Sequence, residues 1–428
     1  MKLMHLKLEN YRGFASADLN LNGESAIIIG KNGAGKSTIL DAVATAMSPL
    51  LENILFNEVT QRPLDEIDIR QHQLLAQIDV EACYQNGSYT WGITRELRAQ
   101  ISMIHEQNLK ALGLQIANRV HQNLEDEYYD RQMKENRSIP VVIYYPVHRA
   151  VLDIPLRMDE KFSNLAQHTA LEDALSVGVN FRAFFGWFRY QEDIENETKI
   201  HKDRDFVDPQ LQAVREAIET FLPGFRNLRI SRVPTERMLI DKDGVTLTVN
   251  QLSNGEKILL AMVGDLARRL ALANPGLVNP LHGEGIILID EVELHLHPGW
   301  QRKVITCFQQ TFPHLQFIFT THSPQVISEV RNMKLYVLSN DTSGNVIEVR
   351  DSVFGQDVNY VLEDVMESDS RNEEIKNRLL QIFRQIEQNQ LTEAETGLRD
   401  LGEILGSEKP ADMIRAEALL RRKRTIGR

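Results

Sequence analysis

One eight-residue segment constrains the fold of this 428-residue chain more than any other. Residues 30–37 are Gly-Lys-Asn-Gly-Ala-Gly-Lys-Ser and match the phosphate-binding loop pattern G-x-x-x-x-G-K-[ST] at every fixed position. The apolar, β-branched run before it, at residues 26–29, predicts a buried strand, and residues 38–44 after it predict an amphipathic helix. A strand, a glycine-rich loop and a helix in this order form the context in which the pattern marks a phosphate site.

The residue types in this loop suit the phosphates of a nucleotide. Glycines let backbone N–H groups face an anion, and the start of the following helix adds a partial positive charge. We expect Lys36 to reach the β- and γ-phosphates of ATP and the Ser37 hydroxyl to bind Mg²⁺. The other residues expected at the nucleotide are Gly30, Asn32, Gly33, Ala34, Gly35 and Thr38.

Composition excludes several classes of protein. The net charge is -12, which rules out nucleic-acid binding by a globally basic surface but not by a local patch. No apolar run is long enough to span a bilayer, and the alternating N-terminus does not have the apolar core of a signal peptide. Cys83 and Cys307 cannot form a disulfide framework. We therefore expect a cytoplasmic protein without a membrane partner.

Two carboxylates follow a wholly apolar segment at residues 285–289. Such a strand is buried on both faces of a parallel sheet, and its carboxyl end faces the crevice where ligands bind. We expect Asp290 to hold Mg²⁺ and Glu291 to position or deprotonate a water molecule. A second apolar strand is predicted at residues 316–321, and His322 at its end can contact a γ-phosphate oxygen.

A further polar segment precedes a long amphipathic helix predicted at residues 258–273. Here Ser253, Gly255 and Glu256 place a hydroxyl and several backbone N–H groups at a helix start, where they can bind an anion or act as an ordinary cap. The His-Leu-His run at residues 295–297 offers two metal ligands without a clear third, so we favour a loop at a protomer interface over a zinc site.

Taken in order, these segments resemble the heads of ABC-type ATPases. The Glu-Leu-His-Leu-His-Pro run at residues 293–298 is similar to the branch of that family that contains SMC, RecF and overcoming-lysogenization ATPases. In that family two heads stack head to tail around ATP. The resemblance implies that Ser253, Gly255 and Glu256 complete the nucleotide site of a second copy, in a homodimer or a larger oligomer. Asn254 stands where a glycine or an aspartate is commoner.

Other segments resemble the PtuA family of Septu anti-phage ATPases, some of which occur with retrons. They are Tyr-Tyr-Pro at residues 144–146, the run at 149–157, Phe-Leu-Pro-Gly-Phe at 221–225 and Gly-Asp-Leu-Ala-Arg-Arg-Leu at 264–270. This resemblance implies an ATPase that assembles with, and controls, a separate HNH-type nuclease, with DNA bound directly or through that partner. Two alternatives stay open: a DNA-repair or chromosome-maintenance ATPase that binds DNA itself, and an ATP-dependent scaffold with little turnover.

The fold class expected is α/β, an ABC-type P-loop ATPase head with a mixed sheet, a helical insertion lobe and a small C-terminal helical region. Residues 1–95 are the predicted N-terminal part of the head, and residues 96–237 the helical lobe. Residues 238–350 are the predicted C-terminal part of the head, and residues 351–428 a helical docking region.

Several side chains have two interpretations on sequence alone. Either the nucleotide is contacted by Tyr11, Arg12 and Arg149, or these three are ordinary turn and loop residues. A glutamine near residues 71–77 senses the metal, or all the glutamines there are surface residues. The basic end of the chain, residues 421–428, contacts nucleic acid or an acidic partner, or is simply solvated.

Overall fold

The computed structural model describes most of the chain in two compact units, residues 1–356 and residues 357–428. The described residues are 1–55, 62–98, 103–106, 108–125, 138–148, 166–176, 178–341, 344–350, 353–366, 373–406 and 410–426. No described helix is long and apolar enough to cross a membrane.

A six-stranded mixed sheet forms the centre of the first unit. Its strands are β3 (Ala26–Gly30), β7 (Val141–Tyr145), β11 (Gly285–Ile289), β12 (Leu315–Thr320), β13 (Lys334–Asp341) and β14 (Gly344–Arg350). They lie in the order β14-β13-β3-β12-β11-β7, and all neighbours are parallel except β13 and β14. Every residue of β3, β7, β11 and β12 is buried, as expected for parallel strands covered on both faces.

The first unit also contains two antiparallel sheets. The five-stranded sheet contains β1 (Lys2–Tyr11), β2 (Phe14–Asn20), β4 (Leu75–Tyr84), β5 (Gly87–Glu96) and β6 (Met103–Glu106). The three-stranded sheet contains β8 (Phe225–Ser231), β9 (Arg237–Lys242) and β10 (Val245–Thr248). The strands β4 and β5 form a hairpin that turns at residues 85–86, because Tyr84 pairs with Gly87.

Six helices of at least eight residues belong to the described part of the first unit. They are α1 (Lys36–Leu55), α2 (Leu109–Glu125), α3 (Phe181–His201), α4 (Pro209–Phe221), α5 (Asn254–Ala273) and α6 (Val304–Thr311). Shorter helical turns of this unit span Glu66–Asp68, Gln167–Ala170, Val249–Gln251, Pro280–His282, Pro298–Gln301 and Pro324–Ile327, and two more, Val358–Tyr360 and Val361–Val365, belong to the second unit. In α3 the aromatic side chains at helical spacing are buried and form a core-facing stripe: Phe181, Phe184, Phe185 and Phe188.

The structure differs from the predicted helical lobe at residues 96–237. Within that range β6 pairs with β5, and β7 is the edge strand of the central sheet beside β11. The three-stranded sheet also crosses the predicted boundary at residue 238, because β8 pairs with β9. Apolar runs at residues 139–146 and 228–233 predict the strands β7 and β8, but the pairing of these strands with segments outside the predicted lobe does not follow from a local pattern.

Three helices form the second unit: α7 (Glu373–Glu387), α8 (Leu391–Leu405) and α9 (Ala411–Ile426). They enclose a small apolar core of their own. Near the basic end, Lys423 Nζ donates to the carbonyls of Ile386 and Glu387, and Arg424 pairs with Glu395. Two of the basic residues are therefore engaged within the bundle, which favours a structural interpretation for them.

Four aromatic rings surround Phe308 in the core between α4, α6 and β12. The ring centroid of Phe308 lies 4.7 Å from that of Phe221, 5.4 Å from that of Phe317 and 5.8 Å from that of Phe319, with Phe312 at 6.5 Å. The edge-to-face and tilted contacts hold α4 and α6 against the strand that ends at His322.

We expect Phe308→Ala to lower the free energy of unfolding of the first unit by about 3–5 kcal/mol, because it leaves a cavity among these rings. The three tryptophans, Trp91, Trp187 and Trp300, all lie in this unit, so their fluorescence during urea unfolding reports on it. The control is Val278→Ala, at a side chain 97% exposed, for which a change within about 0.5 kcal/mol is expected. Equal unfolding midpoints for the two variants would contradict this description of the core.

Candidate functional site

The phosphate loop connects β3 to α1 in a backbone conformation that requires glycine. Gly30, Gly33 and Gly35 have φ angles of 151°, 80° and 95°. A Cβ at Gly30 would lie 2.4 Å from the Leu338 carbonyl oxygen, so no side chain fits beside β13. At Gly33 a Cβ would meet nothing within 4 Å, so that glycine is needed for its conformation and the space beside it is open.

Lys36 lies over this loop at the start of α1. Its side chain is buried, and its ammonium Nζ donates to the carbonyls of Gly30 at 2.9 Å and Lys31 at 3.2 Å. Burial lowers the pKa of Lys36, and the nearby charges of Asp290 and Glu291 oppose that shift. The loop, its lysine and the two predicted carboxylates are therefore close enough to interact.

The Thr320 hydroxyl holds together the two carboxylate residues that follow β11. It donates to the Asp290 carboxylate and accepts a hydrogen bond from the Glu291 backbone N–H at 2.7 Å. The Asp290 backbone N–H donates to the Tyr145 carbonyl at 2.9 Å. Glu291 has a φ of 44°, a left-handed conformation that is uncommon outside glycine and is found at functional sites.

Glu293 fixes the backbone at the end of β12. One carboxylate oxygen accepts from the Thr321 hydroxyl at 2.7 Å, and the other accepts from the His322 backbone N–H at 2.6 Å. Burial, and then the positive charge of Lys36, lower the pKa of His322. Its imidazole is therefore neutral at pH 7 and can accept or donate one hydrogen bond at each nitrogen. The roles of Thr320 and Glu293 were not predicted, because their contacts join different strand ends.

The predicted anion-binding segment is the N-terminal cap of α5. The Ser253 hydroxyl donates to a Glu256 carboxylate oxygen at 2.8 Å, and the same oxygen accepts from the Ser253 backbone N–H at 3.0 Å. The other Glu256 oxygen accepts from Lys242 at 2.7 Å. Burial would raise the pKa of Glu256, but the hydrogen bonds from Lys242 and Ser253 lower it below its usual value.

The cap contacts the segment that follows Glu291 in its own chain. A Cβ at Gly255 would lie 2.7 Å from the His295 carbonyl oxygen, so the cap is packed against the loop that follows Glu291. Among the described residues, the hydrogen bonds of Ser253 and Glu256 are with each other and with Lys242. Lys36, Asp290, Glu291 and His322 interact electrostatically as one group, and the hydrogen bonds of Ser253 and Glu256 reach none of these four residues.

Tyr11 is fully buried, so its ring cannot stack on a nucleotide base. Arg12 donates to Asp41 and Asp68, each at 2.7 Å, and Arg62 donates to the other Asp41 oxygen at 2.9 Å. Asp41 lies in α1, one turn beyond Ser37. The turn at Arg12 therefore braces the helix that carries the phosphate loop.

The remaining open assignments have mixed outcomes. Gln77 lies in β4 and donates to Asp79, so it does not lie at a strand end of the central sheet. His297 caps the short helical turn Pro298–Gln301, accepting from the Gly299 N–H at 3.2 Å. No group of three or more metal-ligating side chains of His, Cys, Asp or Glu occurs among the described residues. Arg149 lies outside the described residues.

Two family models match the chain. One, described as an AAA domain, matches residues 5–223. The other, described as an AAA domain, putative AbiEii toxin, Type IV TA system, matches residues 147–328. The first match spans about half of the chain and includes the phosphate loop. The second includes the cap of α5, the Asp290-Glu291 pair and His322.

Three curated proteins are similar over most of their length. The chain is 30% identical to the retron Ec83 probable ATPase of Escherichia coli, over 90% of this chain and 80% of that protein. It is 29% identical to the retron Vc95 probable ATPase of Vibrio cholerae serotype O1 biovar El Tor, over 85% and 78%. It is 25% identical to the Septu protein PtuA of Bacillus thuringiensis, over 85% and 84%.

One solved structure supports the fold. It is the SMC head bound to the C-winged helix domain of ScpA, with 12% identity, a TM-score of 0.50, and coverage of 82% of this chain and 98% of that one. The expected head fold is confirmed by this likeness together with the six-stranded mixed sheet. The chain therefore belongs to the AAA-domain ATPases, in the group that includes the retron ATPases and the Septu protein PtuA.

Proposed function

We propose that the chain is the ATP-binding and ATP-hydrolysing subunit of an anti-phage defence complex, and that it works as a head-to-tail dimer that gates a partner nuclease. The observation that carries the dimer is that, among the described residues, the Ser253 cap makes no hydrogen bond with the catalytic group of its own chain. Lys36, Asp290, Glu291 and His322 form one group, whereas the Ser253 cap is packed against His295. A second copy supplies the missing cap in this proposal.

The phosphate loop binds the phosphates of ATP. Backbone N–H groups at the glycines face the β- and γ-phosphates, and Lys36 exchanges its bonds to the Gly30 and Lys31 carbonyls for phosphate oxygens. The exchange is favourable because a buried ammonium forms stronger hydrogen bonds with a charged oxygen than with a neutral carbonyl.

The residues present also fit Mg²⁺. Asp290 supplies a buried carboxylate oriented by Thr320, and Ser37 supplies an exposed hydroxyl at the start of α1. These are hard oxygen ligands of the kind Mg²⁺ accepts in combination with phosphate oxygens and water. When bound, Mg²⁺ would neutralise charge on the β- and γ-phosphates.

Glu291 is the residue proposed to orient and deprotonate the attacking water. Its left-handed backbone turns the chain immediately after β11, and its N–H is fixed by Thr320. Neutral His322 donates a hydrogen bond to a γ-phosphate oxygen from the end of β12, which Glu293 holds in place. The Ser253 cap of the second copy adds a helix N-terminus at the γ-phosphate, so hydrolysis requires both chains.

The nuclease partner is supported by the relatives and by what the described chain contains. The chain is similar to a retron ATPase and to the Septu protein PtuA, and its resemblance to the Septu family implies a separate HNH-type nuclease. No metal-binding cluster suited to a nuclease centre occurs among the described residues. The chemistry that cuts nucleic acid therefore belongs to a separate HNH-type subunit in this proposal.

We expect Glu291→Gln to bind ATP normally and to hydrolyse it about 10²–10⁴-fold more slowly, because the amide cannot take the proton of the water. Nucleotide binding is measured by calorimetry and turnover by phosphate release. Glu403→Gln, at an exposed carboxylate of α8, is the matched control and should leave both values unchanged. Unchanged turnover in Glu291→Gln would assign the base to another residue.

A mixing experiment tests the composite site. Lys36→Ala should abolish nucleotide binding, and Ser253→Arg should block the cap while its own chain still binds ATP. Neither variant alone should hydrolyse ATP, whereas a mixture of the two contains one site with Lys36 and Ser253 intact and should regain measurable turnover. If Ser253→Arg alone is fully active, or if the mixture stays inactive, the head-to-tail site is wrong.

The purified chain should not cut DNA with ATP and Mg²⁺ present, because the described residues offer no nuclease centre. Co-expression with its neighbouring reading frames should yield a complex with an HNH-type protein. DNA cleavage by that complex should change when the ATPase carries Glu291→Gln. Metal-dependent cleavage by the chain alone contradicts the partner model. Tight ATP-dependent DNA binding by the chain without a partner would instead support a repair-type ATPase.

A further inference from the structure

A cluster of three charged side chains lies inside the first unit, away from the phosphate loop. Asp265, Arg268 and Arg269 occupy consecutive turns of α5 and are all buried. Asp265 accepts from Arg269 Nε at 2.9 Å and from Arg268 Nη2 at 3.0 Å. The proposed ATPase mechanism uses none of these residues.

The cluster is anchored by backbone carbonyls outside α5. Arg269 Nη1 donates to the carbonyls of Ala170 and Glu172, each at 2.8 Å. Burial would raise the pKa of Asp265, but the charges of the two arginines keep it below its usual value, so the carboxylate is ionised. Buried charges of this kind are held in place strongly, because any displacement leaves one of them uncompensated.

Asp265 is connected to the carboxylate residues of the nucleotide site through Tyr145. The buried Tyr145 hydroxyl donates to Asp265 Oδ2 at 3.0 Å. The backbone carbonyl of the same tyrosine accepts from the Asp290 N–H at 2.9 Å. Two successive hydrogen bonds thus join α5 to the backbone of Asp290.

A second contact joins α5 to the loop that follows Glu291. Gly255, in the first turn of α5, lies so close to the His295 carbonyl that a Cβ would clash with it. His295 has a φ of 62° and Glu291 a φ of 44°, so the residues at both ends of this loop adopt a left-handed backbone conformation. Gly255 and Asp265 are about three turns apart on the helix. The helix is therefore held at two separated points, through Tyr145 at Asp290 and through Gly255 at His295.

We propose that Tyr145 and Asp265 are positioning residues that make α5 and the Asp290-Glu291 segment move as one body. Docking of the Ser253 cap on the nucleotide of a second copy then shifts α5, and the shift reaches Asp290 and Glu291 of the chain that supplies the cap. Each site thereby senses whether the other holds ATP. This inference rests on the head-to-tail dimer proposed above.

The test is a double-mutant cycle in ATP turnover at saturating ATP and Mg²⁺. Tyr145→Phe removes one hydroxyl and keeps the ring, and Ser253→Ala weakens the engagement that the link is meant to transmit. We expect Tyr145→Phe to lower kcat about tenfold in the wild-type background, within the range of coupling between sites. In the Ser253→Ala background it should lower kcat by less than about twofold, because the weakened engagement leaves little signal to transmit.

The matched control is Tyr336→Phe. Tyr336 is also buried in the central sheet, and its hydroxyl donates to the Asn20 carbonyl at 2.8 Å, far in sequence from α5. It measures the generic effect of losing a buried tyrosine hydroxyl, which should be the same in both backgrounds. ATP affinity, measured by calorimetry, should be unchanged in both tyrosine variants.

Each outcome decides the inference. An equal loss of kcat from Tyr145→Phe in both backgrounds means that the residue acts on its own site alone, which overturns the link. No loss in either background, or a loss matched by Tyr336→Phe, overturns it as well. A wild-type chain that stays monomeric with ATP in light scattering contradicts the dimer itself, whereas an ATP-dependent dimer without the background dependence contradicts only the link.

Discussion

The parallel pairing of β3, β12 and β11 is the constraint on which the rest of the site depends. β12 lies between the other two strands. The ends of β3 and β11, which lead into the phosphate loop and the Asp290-Glu291 pair, are therefore two strand spacings apart, roughly 10 Å. That gap is occupied by the end of β12, whose Thr320 hydroxyl orients Asp290 and Glu291. A change of register in β12 would move Thr320 to the opposite face and release both carboxylate residues at once.

Sequence reasoning succeeded where the chemistry is contiguous. The phosphate loop, the apolar strand before Asp290 and the helix after Ser253 each carry their own pattern, and each lies in the predicted type of element. It failed where function depends on distant pairing. The strand β6 was hidden in a helical periodicity, and Tyr11 is buried because β1 is covered, which a turn sequence does not reveal. The contacts of Glu293 with Thr321 and His322 form only when two strand ends meet.

The buried ionic cluster around Asp265 is hard to explain by stability alone. Buried ion pairs contribute little compared with apolar residues of the same volume, because the loss of solvation offsets most of the attraction. Their geometry, however, is specific: Asp265 must face Tyr145, Arg268 and Arg269 together. An apolar core would hold α5 against the sheet and still allow small rotations, whereas this cluster fixes one orientation. Orientation is what a helix needs if its N-terminus must dock on a ligand held by another chain.

Hydrogen bonds within the chain compete with that docking. The Ser253 hydroxyl and N–H are satisfied by Glu256 within their own chain, and Glu256 is in turn held by Lys242. In the proposed dimer, the hydroxyl must leave a carboxylate to reach a phosphate, so only an acceptor of comparable charge can compensate. A γ-phosphate meets this condition, whereas a site without it offers only water. In the proposed dimer, the capping box therefore favours the closed state when ATP is present and the open chain when it is not.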